Sequence, residues 1–140
     1  MAKERIELKF EGYWRSDRAR EIPPEGGIYC VFEARMKLAT GELRPLRLIY
    51  VGSGSNVREQ ISGHQKQDEW KKHLGPGNHL AFSIAALAAD KRKFAEAALV
   101  YEFKPPVNKM YKDSYPFDRT ILIISGKTEL LKGVVTVKRG

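Results

Sequence analysis

Ile6, Leu8 and Phe10 alternate with polar neighbours, the period-two pattern of a half-buried strand. Residues 15–20 are a polar connection with three arginines. Pro23-Pro24-Glu25-Gly26-Gly27 is a stiff turn into an apolar run at 27–34. A second apolar run, 46–51, follows the polar tip Thr40-Gly41-Glu42, so the two runs predict a long antiparallel hairpin. Gly52-Ser53-Gly54-Ser55 predicts the break of that strand. Asn56 is a good helix N-cap, and Glu59 three residues later completes a capping-box pattern, which predicts a short helix to about Gly63. Residues 67–74 predict a second short helix, with Asp68 and Glu69 early and Lys71, Lys72 and His73 late, in keeping with the helix dipole. Gly75-Pro76 stops it, and 80–84 reads as a third strand.

A third helix is predicted from Asp90 to just before Pro105. Phe94, Ala97, Ala98 and Tyr101 form one apolar stripe, and Leu99, Val100 and Phe103 form another on the opposite side. A helix apolar on both sides is expected to be packed on both sides. Glu96 falls on the second stripe, and a carboxylate facing an apolar surface is costly unless it is paired or bound to a metal. Two roles are open to it: an ion pair with an arginine, or a carboxylate held inward for a metal ion or a catalytic cation. Residues 120–124 and 134–137 read as late strands around a polar Gly126-Lys127-Thr128 turn.

At 140 residues the chain reads as one domain. Its apolar fraction of 42% argues against disorder. The run 80–89 is too short to span a bilayer, and no apolar signal core follows the charged residues at the start, so no membrane partner is expected. A single cysteine, Cys30, excludes an internal disulfide and any multi-cysteine metal site. These features set the expectation of a reducing, cytoplasmic setting. The net charge of +8 suits a polyanionic partner, nucleic acid ahead of acidic lipid, with a plain basic surface as the alternative. Charge alone does not separate DNA from RNA.

Gly27-Ile28-Tyr29, then Tyr50-Val51-Gly52, His64 after the first short helix, Glu96 on the third helix and Asn108 after Pro105-Pro106 form an ordered set. Either tripeptide alone is ordinary strand sequence. The whole set, with a glutamate twelve residues before an asparagine, resembles the GIY-YIG nuclease family over residues 26–108. The resemblance implies an α+β fold, a small antiparallel sheet flanked by helices. Residues 1–25 and 109–140 are then terminal extensions that add strands. It also implies hydrolysis of a nucleic-acid phosphodiester, DNA ahead of RNA, with Mg²⁺ or Mn²⁺ as cofactor. Carried over, Tyr29 is the general base, Tyr50 orients the water or the phosphate, and His64 assists proton movement or phosphate binding. Glu96 is the metal ligand, and Asn108 holds the site together. One divalent ion with mostly water ligands needs only one or two carboxylates.

One position departs from the family. An arginine that contacts the scissile phosphate is replaced by Gln60, which supplies no charge. Losing such a group commonly costs ~10²–10³ in rate. A second reading therefore stands beside the nuclease, a GIY-YIG-like module that binds nucleic acid without cutting it. Arg58 lies about 200° round the helix from Gln60, so another cation, such as Lys66 from the next segment, is a candidate to take the arginine's place. Arg58, Lys66, Lys71 and Lys72 are the expected nucleic-acid contacts. Plainer roles stay open for the other positions. Tyr29 and Tyr50 also suit cross-strand packing, His64 a core edge, Asn108 a turn, and Trp70 either base stacking or anchoring of the short helix.

Overall fold

The computed structural model describes residues 4–140, with the His64 side chain outside the described part. The alternating residues of the first segment lie in β1 (Glu4–Arg15), where Ile6, Leu8 and Phe10 are buried on one face. A 3₁₀ turn at Ser16–Glu21 occupies the polar connection. The hairpin is β2 (Gly27–Met36) and β3 (Leu43–Gly54), paired antiparallel along its length. Next come α1 (Val57–Ser62), α2 (His64–Lys71), β4 (His79–Ala86), α3 (Ala89–Phe103), β5 (Thr120–Gly126) and β6 (Val134–Val137).

All six strands join one sheet in the order β3-β2-β4-β1-β5-β6. The terminal extensions thus add strands, as expected. The sheet is mixed rather than antiparallel, because β1 and β5 run parallel while every other pair is antiparallel. The long path between β1 and β5, through the hairpin, β4 and α3, permits this; a tight turn enforces the antiparallel arrangement, whereas a crossover allows the parallel one.

The sheet curls around α3, which touches β1, β2, β3, β5 and β6. Ala95, Ala97 and Ala98 are small enough for strands to come close, and Leu99 and Val100 fill the remaining space. On the side away from the strands, Phe94 meets Phe117 edge-on at 5.0 Å and Tyr101 lies 6.3 Å from Tyr115. The helix is packed on both sides, as its two stripes require. The opposite face of the sheet carries a second cluster, in which Tyr29, Val31, Ile49 and Phe82 pack against Ile22, Val57, Ile61 and Trp70.

Three local features differ from the sequence reading. First, β3 does not break at Gly52. It pairs on to Gly54, with Gly52 opposite Tyr29 and Gly54 opposite Gly27. Second, Val31 faces Tyr50 while Phe32 faces Leu48, so Ile49 is an extra residue. This bulge turns Ile49 and Tyr50 to the same face, which simple alternation forbids. Third, Gly63 is extended (ψ 123°) and separates the helices, so α2 begins at His64 rather than at 67. Asn56 caps α1 as expected, its side chain accepting from the Glu59 amide. No helix among the described residues is long and apolar enough to cross a membrane.

Glu33 ties the hairpin to the loop after α2. It accepts from the Gly75 amide at 2.7 Å, from Asn78 Nδ2 at 2.8 Å and from Arg47 Nε at 3.3 Å. The Gly75 N–H first, then Asn78, hold its carboxyl below the ordinary value of 4.5. The resulting stabilisation is full above 4.5 and is lost as the pH falls through the lowered native value. In thermal melts, Glu33→Gln is expected to be less stable at neutral pH, by about 1–3 kcal/mol, and to decline less steeply in acid than the parent. Parallel acid declines would remove this role.

Candidate active site

The continuation of β3 to Gly54 builds the floor of the site. A Cβ on Gly52 would lie 2.4 Å from the Tyr29 hydroxyl and ring, and one on Gly54 would lie 2.4 Å from Gln60 Nε2. The Tyr29 phenol and the Gln60 amide therefore rest directly on bare backbone, an approach only glycine allows. Ser53, between the two glycines, turns to the other face and donates from Oγ to Glu96 Oε1 at 2.5 Å. One three-residue stretch thus holds Tyr29 and Gln60 on one side and Glu96, from α3, on the other.

Tyr29 is wholly buried, and Tyr50 is partly exposed beside it, with ring centroids 6.1 Å apart. Trp70 of α2 lies 5.6 Å from Tyr50 and 6.2 Å from Tyr29. At 2% exposure, Trp70 is the anchor that fastens α2 to the sheet, so the base-stacking role open to it is not taken. The tyrosines do pack across strands, yet they also share a cluster with polar groups. The Tyr29 hydroxyl donates to Gln60 Oε1 at 3.2 Å, and Lys66 Nζ donates to the same oxygen at 3.4 Å.

Glu96 forms no ion pair with an arginine among the described residues; its partner is Ser53. Burial raises its carboxyl above the ordinary range, against the opposing pull of the Ser53 hydrogen bond and the Lys66 charge. Tyr29 is raised well above an ordinary phenol, by burial first, then by Tyr50 and the Glu96 carboxylate. Tyr50 is raised by burial and by Glu96. Charges and phenols from β2, β3, α2 and α3 thus act on one another at this end of the sheet.

Asn108 sits at the free edge of β3. Its Oδ1 accepts from the Val51 amide at 2.9 Å, and its Nδ2 donates to the Val51 carbonyl at 2.8 Å. Val107 N donates to the Ile49 carbonyl at 3.2 Å, so residues 107–108 act as a short substitute strand. Asn108 is therefore spent on backbone next to Tyr50 and fixes the strand that carries it.

The remaining expected residues lie elsewhere. Arg58 donates from Nε to the Ile22 carbonyl at 2.5 Å and ties α1 to the end of the 3₁₀ turn. Lys72 is exposed and pairs with Glu69 at 3.5 Å, while Lys71 lines a separate cleft with Arg15, Leu74 and His79. Lys66 and Lys71 of α2 thus line different clefts. The His64 side chain lies outside the described residues. Ser53 was not singled out from sequence. Continued alternation from Val51, which faces α3, was the signal that would have placed Ser53 on the α3 face.

Among the described residues, no group of three or more His, Cys, Asp and Glu side chains is arranged to hold a metal. Comparison with protein-family models, with curated proteins and with solved structures finds no match to this chain.

Two outcomes follow from the geometry. Gly52→Ala drives a methyl into a ring with no room to move and is expected to lower stability by about 1–3 kcal/mol. Gly54→Ala meets only the flexible end of Gln60 and is expected to lower it less; equal losses in chemical denaturation would contradict the floor. Glu96→Gln is expected to raise Tm at neutral pH but not below pH 4.5, because a carboxyl with a raised native value destabilises the fold only once the unfolded chain ionises. A lower Tm at neutral pH would show that the charge holds the fold together.

Proposed function

We propose that this cluster is the active site of a metal-dependent endonuclease that hydrolyses nucleic-acid phosphodiesters, DNA ahead of RNA. The observation that carries the reading is Glu96. It is an inward carboxylate, raised by burial and without a salt-bridge partner among the described residues, beside two tyrosines and a lysine. Structural carboxylates are normally paired; one kept at the expense of stability is a mark of a working site.

The donor set fits one ion of the Mg²⁺ or Mn²⁺ kind. Such an ion keeps several waters and is held by one or two carboxylates. Glu96 is the ligand available, with one oxygen engaged by Ser53. When bound, the ion stabilises the negative charge that develops on a phosphoryl oxygen. Tyr50, partly exposed at the rim, is placed to orient the phosphate or the attacking water. Tyr29 is the proposed base. Its proton is held by Gln60, and burial and Glu96 both oppose its loss, so its readiness to act rises with pH.

That same hydrogen bond favours a second reading. A wholly buried phenol that donates to Gln60, with no cation touching its oxygen among the described residues, also suits a module that binds nucleic acid and does not cut it.

The test is cleavage of labelled branched, single-stranded and duplex substrates across a Mg²⁺ and Mn²⁺ series. Metal-dependent cutting is expected to fall by at least ~10²–10³-fold in Glu96→Ala. Undiminished cutting by that variant would remove the nuclease assignment, and salt-sensitive binding with no turnover under either metal would establish the second reading. In an active protein, kcat/KM is expected to climb through the alkaline range; a profile flat above neutrality would remove Tyr29 as the base.

A further inference from the structure

Gln60 is the residue that sets the charge problem of this site, and its surroundings also answer it. A lysine ammonium has donors and no acceptor, so the amide atom facing Lys66 Nζ must be the oxygen. The Tyr29 hydroxyl donates to that same oxygen, which fills both of its lone pairs. The Gln60 amide also packs against Gly54, its Nε2 lying 2.4 Å from where a Cβ on that glycine would stand. An arginine at position 60 would accept from neither partner.

Lys66 itself carries a charge without a salt-bridge partner. It is exposed and within reach of no carboxylate at salt-bridge distance among the described residues. Its one hydrogen bond among the described residues goes to a neutral amide, which leaves two N–H donors for a ligand. It lies in the first turn of α2, where its charge adds to the positive end of the helix dipole instead of offsetting it. It also borders a small, mostly apolar pocket lined by Tyr50, Trp70, Val107, Gln65 and Glu69, so the Lys66 stem stands next to Tyr50. Of the basic residues near α1, Arg58 turns its Nε to the Ile22 carbonyl.

We propose that Lys66 is the phosphate-binding cation of this site, supplied from α2 and positioned by Gln60. The ligand class is a phosphodiester oxyanion of a nucleic-acid backbone. The proposal rests on the reading of the cluster as a phosphodiester site and places a second positive centre there besides the metal. Gln60 acts through Lys66, so it is a positioning residue.

The experiment has two arms, so that failure of the nuclease reading and failure of the Lys66 assignment stay distinct. In the first, binding of a labelled DNA duplex to the full chain is measured in chelator over a salt series. Lys66→Ala is expected to weaken binding and to reduce the slope of log K against log salt by about 1. Lys127→Ala, which removes an exposed charge at the β5–β6 turn, is expected to leave the slope unchanged. Gln60→Glu is expected to act like Lys66→Ala, because it gives the ammonium a competing carboxylate. In the second arm, cutting with Mg²⁺ is expected to drop by ~10²–10³-fold in Lys66→Ala. It is expected to persist in Lys66→Arg and to return in the Gln60→Arg, Lys66→Ala double variant. An unchanged salt slope in Lys66→Ala overturns the assignment whether or not the protein cuts. So does a parent that cuts together with a Lys66→Ala that cuts as well. A parent that never cuts removes the nuclease reading and leaves the salt slope to decide for or against Lys66.

Discussion

The burial of α3 within the curl of the sheet is the interaction on which the rest depends. A helix with apolar stripes on two sides cannot be satisfied by one flat sheet face. Strands from both halves of the chain wrap it instead, and the alanines at 95, 97 and 98 let them approach. This is why the terminal segments join the sheet rather than hang from it. It also fixes where Glu96 can go. With Ala95, Ala97, Ala98, Leu99 and Val100 all buried against neighbours, the one polar side chain in that stretch is directed to the end of β3, where Ser53 meets it.

The end of β3 is then a place where several small features reinforce one another. The bulge at Ile49 turns Tyr50 towards Tyr29. The glycines at 52 and 54 bring Tyr29 and Gln60 down onto the backbone. Asn108 supplies the hydrogen bonds that a neighbouring strand would have given, so the edge is stiff where the tyrosines need support. Packing and electrostatics pull in opposite directions here. The aromatic cluster stabilises this face of the sheet, while the same burial disfavours the ionised forms of Glu96, Tyr29 and Tyr50. A site that holds reluctant charges is suited to a ligand that brings compensating ones.

Much of this was legible in the sequence, and the misses have physical causes. Alternation, apolar runs, caps and charge placement located the six strands and three α-helices of the described residues, because each is a local pattern. The two-sided stripe on α3 revealed its burial, and Asn56 revealed the start of α1. The parallel β1–β5 pair was not legible, since strand direction across a long crossover depends on tertiary packing. Gly52 and Gly54 were read as breakers because glycine so often ends strands; here they stay paired, since what they provide is space for Tyr29 and Gln60. Ser53 was missed as a consequence. Residue identity suggested Arg58 as a contact, and the Ile22 carbonyl that meets its Nε was not legible from the sequence. Glu96 stood out because a carboxylate on an apolar stripe is a local contradiction that only tertiary structure or a ligand resolves, whereas the tyrosine pair stood out only through the resemblance.

In the proposed site Glu96, at the end of β3 near the tyrosines and Lys66, holds the divalent ion. The most direct measurement is titration of the isotope-labelled protein with Mn²⁺, following paramagnetic broadening residue by residue. Signals of Ser53, Tyr50 and Glu96 are expected to broaden first, and this early broadening to disappear in Glu96→Gln while the rest of the spectrum is kept. Early broadening centred elsewhere, or an identical pattern in Glu96→Gln, would contradict this placement of the ion.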